Sequence, residues 1–129
     1  MTVAKLERWL SLLPQQEKTQ PVMNVDGINL TPERMLSEAR ANTELGRKAQ
    51  LQWEGSSLGT DRDMLIERIK NRLSRYPQDK PLFHILGAPN MLTPKDILTQ
   101  IEANTPEGQK WVETEHRYLK YMDTLKERV

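Results

Sequence analysis

The sequence predicts a mainly α-helical fold in which one structural unit occurs twice, accompanied by a minor two-stranded β element. Three observations lead to this prediction. A segment of the first half recurs in the second half, apolar residues recur at helical spacing in both copies, and an Asp-Gly pair stands between β-branched residues. We therefore expect a small helical domain of two tandem pseudo-symmetric units, each with a helix, a short extended stretch and a helix-turn-helix.

The repeat is clearest at Leu30-Thr31-Pro32, which recurs as Leu92-Thr93-Pro94, an offset of 62 residues from position 30 to position 92. From position 30 to position 50 the two copies share nine of 21 residues without a gap, more than unrelated segments share by chance. We assign residues 1–57 to the first unit and 58–129 to the second. The two units are expected to share one core, because a lone unit of about 60 residues is only marginally stable.

Each copy of the repeat carries the signals of two helices joined by a tight turn. Thr31 is a good N-cap residue, and the proline that follows it is favoured at the first helical position. Asn42 suits the left-handed residue that ends a helix, and the next threonine can cap a second helix at once. Gly46 then falls in the first turn of that second helix, where glycine costs about 1 kcal/mol relative to alanine. We expect another backbone to approach closely at Gly46 and at its counterpart Gly108.

The remaining elements are predicted from local signals. A first helix is capped by Thr2 and ends at Pro14, and the Asp26-Gly27 pair indicates a hairpin within residues 22–30. If residues 82–86 of the second copy are also extended, the two stretches can pair. After a glycine- and serine-rich linker over 55–59, Thr60 or Asp61 caps a helix that reaches residue 76. The final helix is expected from residue 106 to near 129, a length of about 36 Å at 1.5 Å per residue.

Composition limits the classes of partner. The 129 residues include no cysteine, and 19 basic against 18 acidic residues leave a formal charge of +1. This charge supplies no overall field to attract polyanions or an anionic membrane, and no apolar run approaches the roughly 18 to 20 residues of a membrane span. We expect a soluble cytoplasmic protein that does not bind a membrane.

The sequence offers little chemistry. His84 and His116 are the only side chains that ordinarily titrate near neutral pH, and neither belongs to a recognisable catalytic or metal-binding motif. No phosphate-binding glycine loop and no Ser-His-Asp set is present. We therefore expect no enzymatic activity, with no catalytic, cofactor-binding or metal-binding residues and no cofactor.

The final helix carries a seam of apolar residues at heptad spacing, which is typical of a surface that packs against another helix. One interpretation is that this seam binds another protein or a second copy of the chain, as in an adaptor, a chaperone-like protein or a regulatory subunit. The other is that it packs inside the chain, on the first helix or on residues 65–76. The first interpretation predicts six partner-binding residues, one of which is a tryptophan of the first unit that serves as a second anchor. These residues are Trp53, Trp111, Tyr118, Leu119, Met122 and Leu125.

Nucleic-acid binding is the alternative function. The two short helix pairs resemble the geometry of a helix-turn-helix, and a basic stretch holds Arg68, Arg72 and Arg75 as candidate phosphate contacts. The charges of the helix pairs argue against this alternative. Residues 31–54 hold four acids and four bases, and Glu107 would face the phosphates at the start of the second candidate recognition helix.

Overall fold

The computed structural model describes residues 3–56, 58–59, 61–79 and 92–129. The described residues form six α-helices, a two-stranded antiparallel sheet and two short 3₁₀ helices, so the predicted mainly α-helical fold with a minor β element is confirmed. In chain order the helices are α1 (Val3–Ser11), α2 (Pro32–Arg40), α3 (Glu44–Gly55), α4 (Arg62–Leu73), α5 (Pro94–Glu102) and α6 (Pro106–Thr124). The strands are β1 (Met23–Val25) and β2 (Ile28–Leu30), and the 3₁₀ helices are Gln15–Glu17 and Leu125–Arg128.

Several predicted features lie outside the described residues. These are the N-cap Thr2, the alternative cap Thr60, His84 and the second extended stretch at 82–86 with its proposed pairing. The other cap for the fourth helix is confirmed, because the Asp61 carboxylate accepts a hydrogen bond from the backbone N–H of Met64 at 3.0 Å.

The repeated helix pairs are α2–α3 and α5–α6. Thr31 and Thr93 cap α2 and α5 as predicted, and their hydroxyl oxygens accept the N–H groups three residues later at 3.1 and 3.0 Å. Asn42 and Asn104 end the turn in the left-handed region, each with φ of 53°. The same local sequence therefore produces the same turn twice, and the predicted helix-turn-helix is confirmed in both units.

The repeated glycines let the paired helices touch backbone to backbone. A β-carbon built at Gly46 would overlap the carbonyl oxygen of Glu38 and lie 2.8 Å from the backbone nitrogen of Ala39. At Gly108 it would overlap the carbonyl oxygen of Gln100 in the same way. The predicted close approach at both glycines is confirmed, and the approaching backbone belongs to the preceding helix.

The sheet is a hairpin within the first unit. Asp26 and Gly27 form its turn with φ of 51° and 83°, which is the type I′ geometry that an Asp-Gly pair favours. The strands pair in antiparallel register with Val25 opposite Ile28. The side-chain amide of Gln52 donates to the carbonyl oxygen of Asn24 at 2.8 Å, which fixes the hairpin to α3.

The main core draws on both halves of the chain. Trp9 of α1 meets Trp53 of α3 edge to face, with ring centroids 5.4 Å apart, and its indole N–H donates to the carbonyl oxygen of Met122 at 2.9 Å. Leu119 and Met122 of α6 are buried in this core. A second, smaller cluster joins α4 to α5 and α6 and consists of Ile69, Leu73, Ile97 and Ile101, with Trp111 packed against it.

The final helix is shorter than predicted. α6 ends at Thr124 after 19 residues, a length of about 28 Å, and the chain continues as a 3₁₀ helix over Leu125–Arg128. In that last turn the Lys126 ammonium donates to the carbonyl oxygens of Trp53 and Ser56, at 2.5 and 3.2 Å. These contacts satisfy carbonyl groups at the end of α3, so the end of the chain is held against the first unit.

Candidate functional site

A cluster of two glutamates and two arginines lies where α4, α6 and residues 14–22 meet; we call residues 14–22 the strap. Three of its members are buried: Arg68 of α4, Glu17 of the strap and Glu115 of α6. The fourth, Arg72, lies one turn after Arg68 on α4 and keeps 45% of its side chain exposed. The cluster is therefore a mostly buried group of charged side chains, of which Arg72 reaches the surface.

Arg68 sits at the centre of this cluster and is 0% exposed. Its Nε donates to Glu115 at 2.9 Å, its Nη2 donates to Glu17 at 2.5 Å, and its Nη1 donates to the carbonyl oxygen of Pro21 at 2.8 Å. A buried guanidinium requires such partners, because an uncompensated charge in the interior costs several kcal/mol. One side chain of α4 thus ties the strap to α6.

Arg72 forms the outer end of the cluster. Its Nη2 donates to Glu115 at 2.9 Å and to Glu17 at 3.4 Å. Its guanidinium carbon lies 5.7 Å from the centre of the Tyr118 ring, within the range of a cation–π contact. The side chain is held from below by two carboxylates and by an aromatic face, while part of it faces solvent.

The cluster includes a position where the two units differ in chemistry. The repeat offset of 62 residues places Glu115 of α6 where α3 has Trp53 (position 53 to position 115). Trp53 packs against another tryptophan from α1, whereas Glu115 binds an arginine from α4. At this equivalent position the first unit has an aromatic pair, and the second unit has an ion pair. This difference within the repeat is a sequence signal that marks Glu115, but it does not identify the residues that Glu115 binds.

The geometry limits what these carboxylates do. Glu17 and Glu115 each accept hydrogen bonds from both arginines, so both carboxylates are held in fixed positions toward α4. Such an ion cluster rarely adds net stability over apolar packing, although breaking it is strongly destabilising. The arrangement is suited to fixing one geometry and to orienting Arg72.

Tyr118 gives a measurable pH dependence. Burial raises the pKa of its phenol above the ordinary value of about 10, and the charge of Glu17 acts in the same direction. The unfolded chain therefore releases this proton first as the pH rises, and the folded state loses stability above about pH 10. We expect the free energy of unfolding to fall more steeply between about pH 9 and pH 11 in the wild type than in Tyr118→Phe, as measured by urea denaturation. Equal slopes in the two proteins would contradict this prediction.

Four of the six predicted partner residues belong to the core instead of an exposed surface. Leu119, Met122 and Leu125 are buried in the main core, and Trp53 is enclosed by Trp9 and by the last turn of the chain. For these side chains the alternative interpretation applies, in which the seam packs inside the chain. The reason is that the heptad pattern specifies an apolar face and does not specify what covers it.

The other two predicted partner residues, Trp111 and Tyr118, are half-buried and keep part of their surface exposed. Sequence reasoning missed the most accessible aromatic side chain of α6, which is Tyr121 at 56% exposure. It lies three residues after Tyr118, so the two occupy neighbouring positions on the helix surface. Because it stands outside the heptad seam, the apolar pattern gave no reason to select it.

The three candidate phosphate contacts have different environments. Arg68 is enclosed and its guanidinium is occupied by protein groups, so this structure excludes it from contact with a phosphate. Arg72 is half-exposed and Arg75 is exposed. Elsewhere on α4, Arg62 donates to the Asn104 side chain at 3.2 Å. The basic stretch is therefore less available for phosphate contacts than its sequence indicates.

Within the described ranges, no group of three or more histidine, aspartate or glutamate side chains is placed to hold a metal ion. None of the helices described for this chain combines the length and the apolar character needed to cross a membrane. Comparisons with protein families, with curated proteins and with solved structures find no match to this chain.

Proposed function

We propose that this protein is a non-enzymatic protein–protein interaction module that binds its partner through the outer face of α6. The observation that carries the proposal is Tyr121, an aromatic side chain 56% exposed beside the half-buried Tyr118. Aromatic residues are enriched among the few side chains that dominate the energy of protein interfaces. Two of them at neighbouring positions on one helix provide an anchor for a partner.

The side of α6 that faces the core holds the helix in place, which suits its outer face to partner binding. Leu119 and Met122 are fully buried in the main core, and Glu115 is tied to α4. The backbone that carries the two tyrosines is therefore fixed before a partner arrives, which reduces the entropy lost on binding. An adaptor, a chaperone-like protein or a regulatory subunit would use such a surface toward another protein or toward a second copy of this chain.

The test compares Tyr121→Ala with Lys120→Ala, a matched truncation at an exposed neighbour on the same helix. The immobilised proteins are used to capture partners from a lysate of the source organism, and sedimentation of the pure proteins reports self-association. We expect Tyr121→Ala to weaken partner binding or self-association about tenfold or more, as for an anchor residue of an interface. Lys120→Ala should bind as the wild type does.

Circular dichroism of both variants provides the folding control, because both side chains point to solvent and their loss should leave the core intact. The proposal fails if Tyr121→Ala captures the same partners with the same affinity as the wild type. It also fails if the wild-type protein is monomeric and no partner is captured by both the wild type and Lys120→Ala but lost by Tyr121→Ala.

A further inference from the structure

We propose that Arg72 is a carboxylate-recognition residue on this interaction surface, so that the partner presents an acidic, aspartate- or glutamate-bearing protein segment. The inference rests on the proposed function, because it names the chemistry of the partner that the α6 surface binds. The observations for Arg72 are separate from those for Tyr121, because they concern how the ion cluster holds the Arg72 guanidinium at the surface.

The orientation of Arg72 leaves some of its donors unused. Only Nη2 of Arg72 is used by the buried carboxylates, at 2.9 Å to Glu115 and 3.4 Å to Glu17. Across the described ranges no hydrogen bond engages its Nε or Nη1. A guanidinium has five N–H donors in a planar fork that matches the two oxygens of a carboxylate. Arg72 therefore has donors remaining for a second carboxylate from outside.

Arg72 is also ordered before a partner binds. An exposed arginine ordinarily loses side-chain conformational entropy when a partner immobilises it. Here the side chain is already ordered by the two carboxylates and by the face of the Tyr118 ring, 5.7 Å from the guanidinium carbon. Arginine suits this role better than lysine, because only the planar guanidinium both stacks on a ring and donates as a fork.

The local charges also favour an acidic partner. Within the cluster two arginines balance two glutamates, so the set carries no net negative charge that would repel a carboxylate. Arg75, exposed three residues beyond Arg72, adds a positive charge at the end of α4. Tyr76, four residues after Arg72, and Tyr121, three residues after Tyr118, are exposed aromatic side chains. An acidic segment that also carries apolar side chains complements these residues.

The same observations favour a protein segment over a nucleic acid. Arg68 is buried, and the exposed Lys70 lies 3.9 Å from Glu102, so Arg72 and Arg75 are the accessible arginines of this end of α4. Two cations suffice to bind a carboxylate, whereas nucleic-acid sites commonly make about 6 to 10 phosphate contacts.

The test uses three fluorescent probes in a polarisation titration: a peptide of alternating glutamate and leucine, the same peptide with glutamine for glutamate, and a single-stranded oligothymidylate. We expect the glutamate peptide to bind the wild type at least about tenfold more tightly than the other two probes, since charge-assisted hydrogen bonds to a carboxylate are lost in the glutamine peptide. Arg72→Gln should lose about tenfold in affinity for the glutamate peptide, and Arg72→Lys should recover only a minor part of that loss.

The matched control is Arg34→Gln, which removes one positive charge from a similarly exposed arginine of α2 that is 3.9 Å from Glu38. It should bind the glutamate peptide as the wild type does. The proposal is overturned if the glutamine peptide binds equally well, if Arg34→Gln loses as much affinity as Arg72→Gln, if the oligonucleotide binds more tightly than the glutamate peptide, or if no probe binds.

The two proposals fail in different ways. Arg72→Lys keeps the positive charge beside the buried carboxylates, and thermal unfolding of both Arg72 variants shows whether a loss of binding reflects misfolding. If Tyr121→Ala abolishes partner capture while Arg72→Gln and Arg72→Lys retain it, the interaction surface stands and acidic recognition is overturned. If none of the three differs from the wild type in partner capture, both proposals are overturned.

Discussion

Gly108→Ala should destabilise the protein by about 3 kcal/mol or more, measured by urea denaturation followed by circular dichroism. The new β-carbon would overlap the carbonyl oxygen of Gln100 and lie 2.8 Å from the α-carbon of Ile101. Both atoms belong to the backbone of α5, so no side chain can rotate away to make room. α5 and α6 would have to separate, and Ile101 would lose packing in the second core cluster.

Gly55→Ala is the matched control, because Gly55 is also helical and nothing lies within 4 Å of a β-carbon built there. Alanine is favoured over glycine within a helix by about 1 kcal/mol, with less expected at a helix end, so this variant should be neutral or slightly more stable than the wild type. Gly108→Ala is thus expected to lower the free energy of unfolding, whereas Gly55→Ala should leave it unchanged or raise it slightly. A Gly108→Ala protein as stable as Gly55→Ala would show that the close approach of α5 and α6 is not required.

Glu115→Ala should lower the free energy of unfolding by about 3 kcal/mol. The substitution leaves Arg68 fully buried with one carboxylate, that of Glu17, and with the carbonyl oxygen of Pro21. Its Nε would then lie in the interior without an acceptor. Glu113→Ala is the control: Glu113 lies two residues earlier on α6 and pairs with the exposed Arg117, so its loss should cost no more than about 1 kcal/mol.

A compensating variant separates charge from packing in this prediction. Replacing Glu17 and Glu115 with leucine together with Arg68→Met removes the buried charges at similar volume. Apolar replacement of a buried ion cluster is often neutral or stabilising, so the triple variant should recover most of the stability that Glu115→Ala loses. A triple variant as unstable as Glu115→Ala would mean that the destabilisation arises from lost shape and not from the uncompensated arginine.

The helix pairs could be predicted because their signals are local. The threonine caps, the prolines after them and the left-handed Asn42 and Asn104 act within a few residues, so their effect does not depend on the rest of the fold. The repeated glycines required only one further step, since their unfavourable position in a helix indicated close backbone contact. The Asp26-Gly27 turn is of the same kind.

The ion cluster could not be predicted because its members are far apart in sequence. Arg68 and Glu115 are 47 residues apart, and Arg68 and Glu17 are 51 residues apart. On the sequence alone Glu113 and Glu115 are both acids on a polar part of α6, yet 58% of one side chain and 6% of the other are exposed. The face of α6 that meets α4 decides between them, and that is a property of the tertiary packing.

The burial of Trp53 follows from the same kind of long-range packing. A tryptophan near the end of α3 can close a core or anchor a partner, and its sequence neighbours do not distinguish these roles. The deciding contacts come from opposite ends of the chain, from Trp9 in α1 and from Lys126 in the last turn. Of the predicted surface, Trp111 and Tyr118 retain exposure because α6 turns one side of the seam outward.

The difference between Trp53 and Glu115 at equivalent positions gives the two units different partners. Trp53 meets Trp9 within the first unit, and Glu115 binds Arg68 within the second. Between the units, Glu17 of the first binds the same Arg68, and the indole N–H of Trp9 donates to the carbonyl oxygen of Met122. The halves are therefore not interchangeable, although one local sequence pattern builds the helix pair of each.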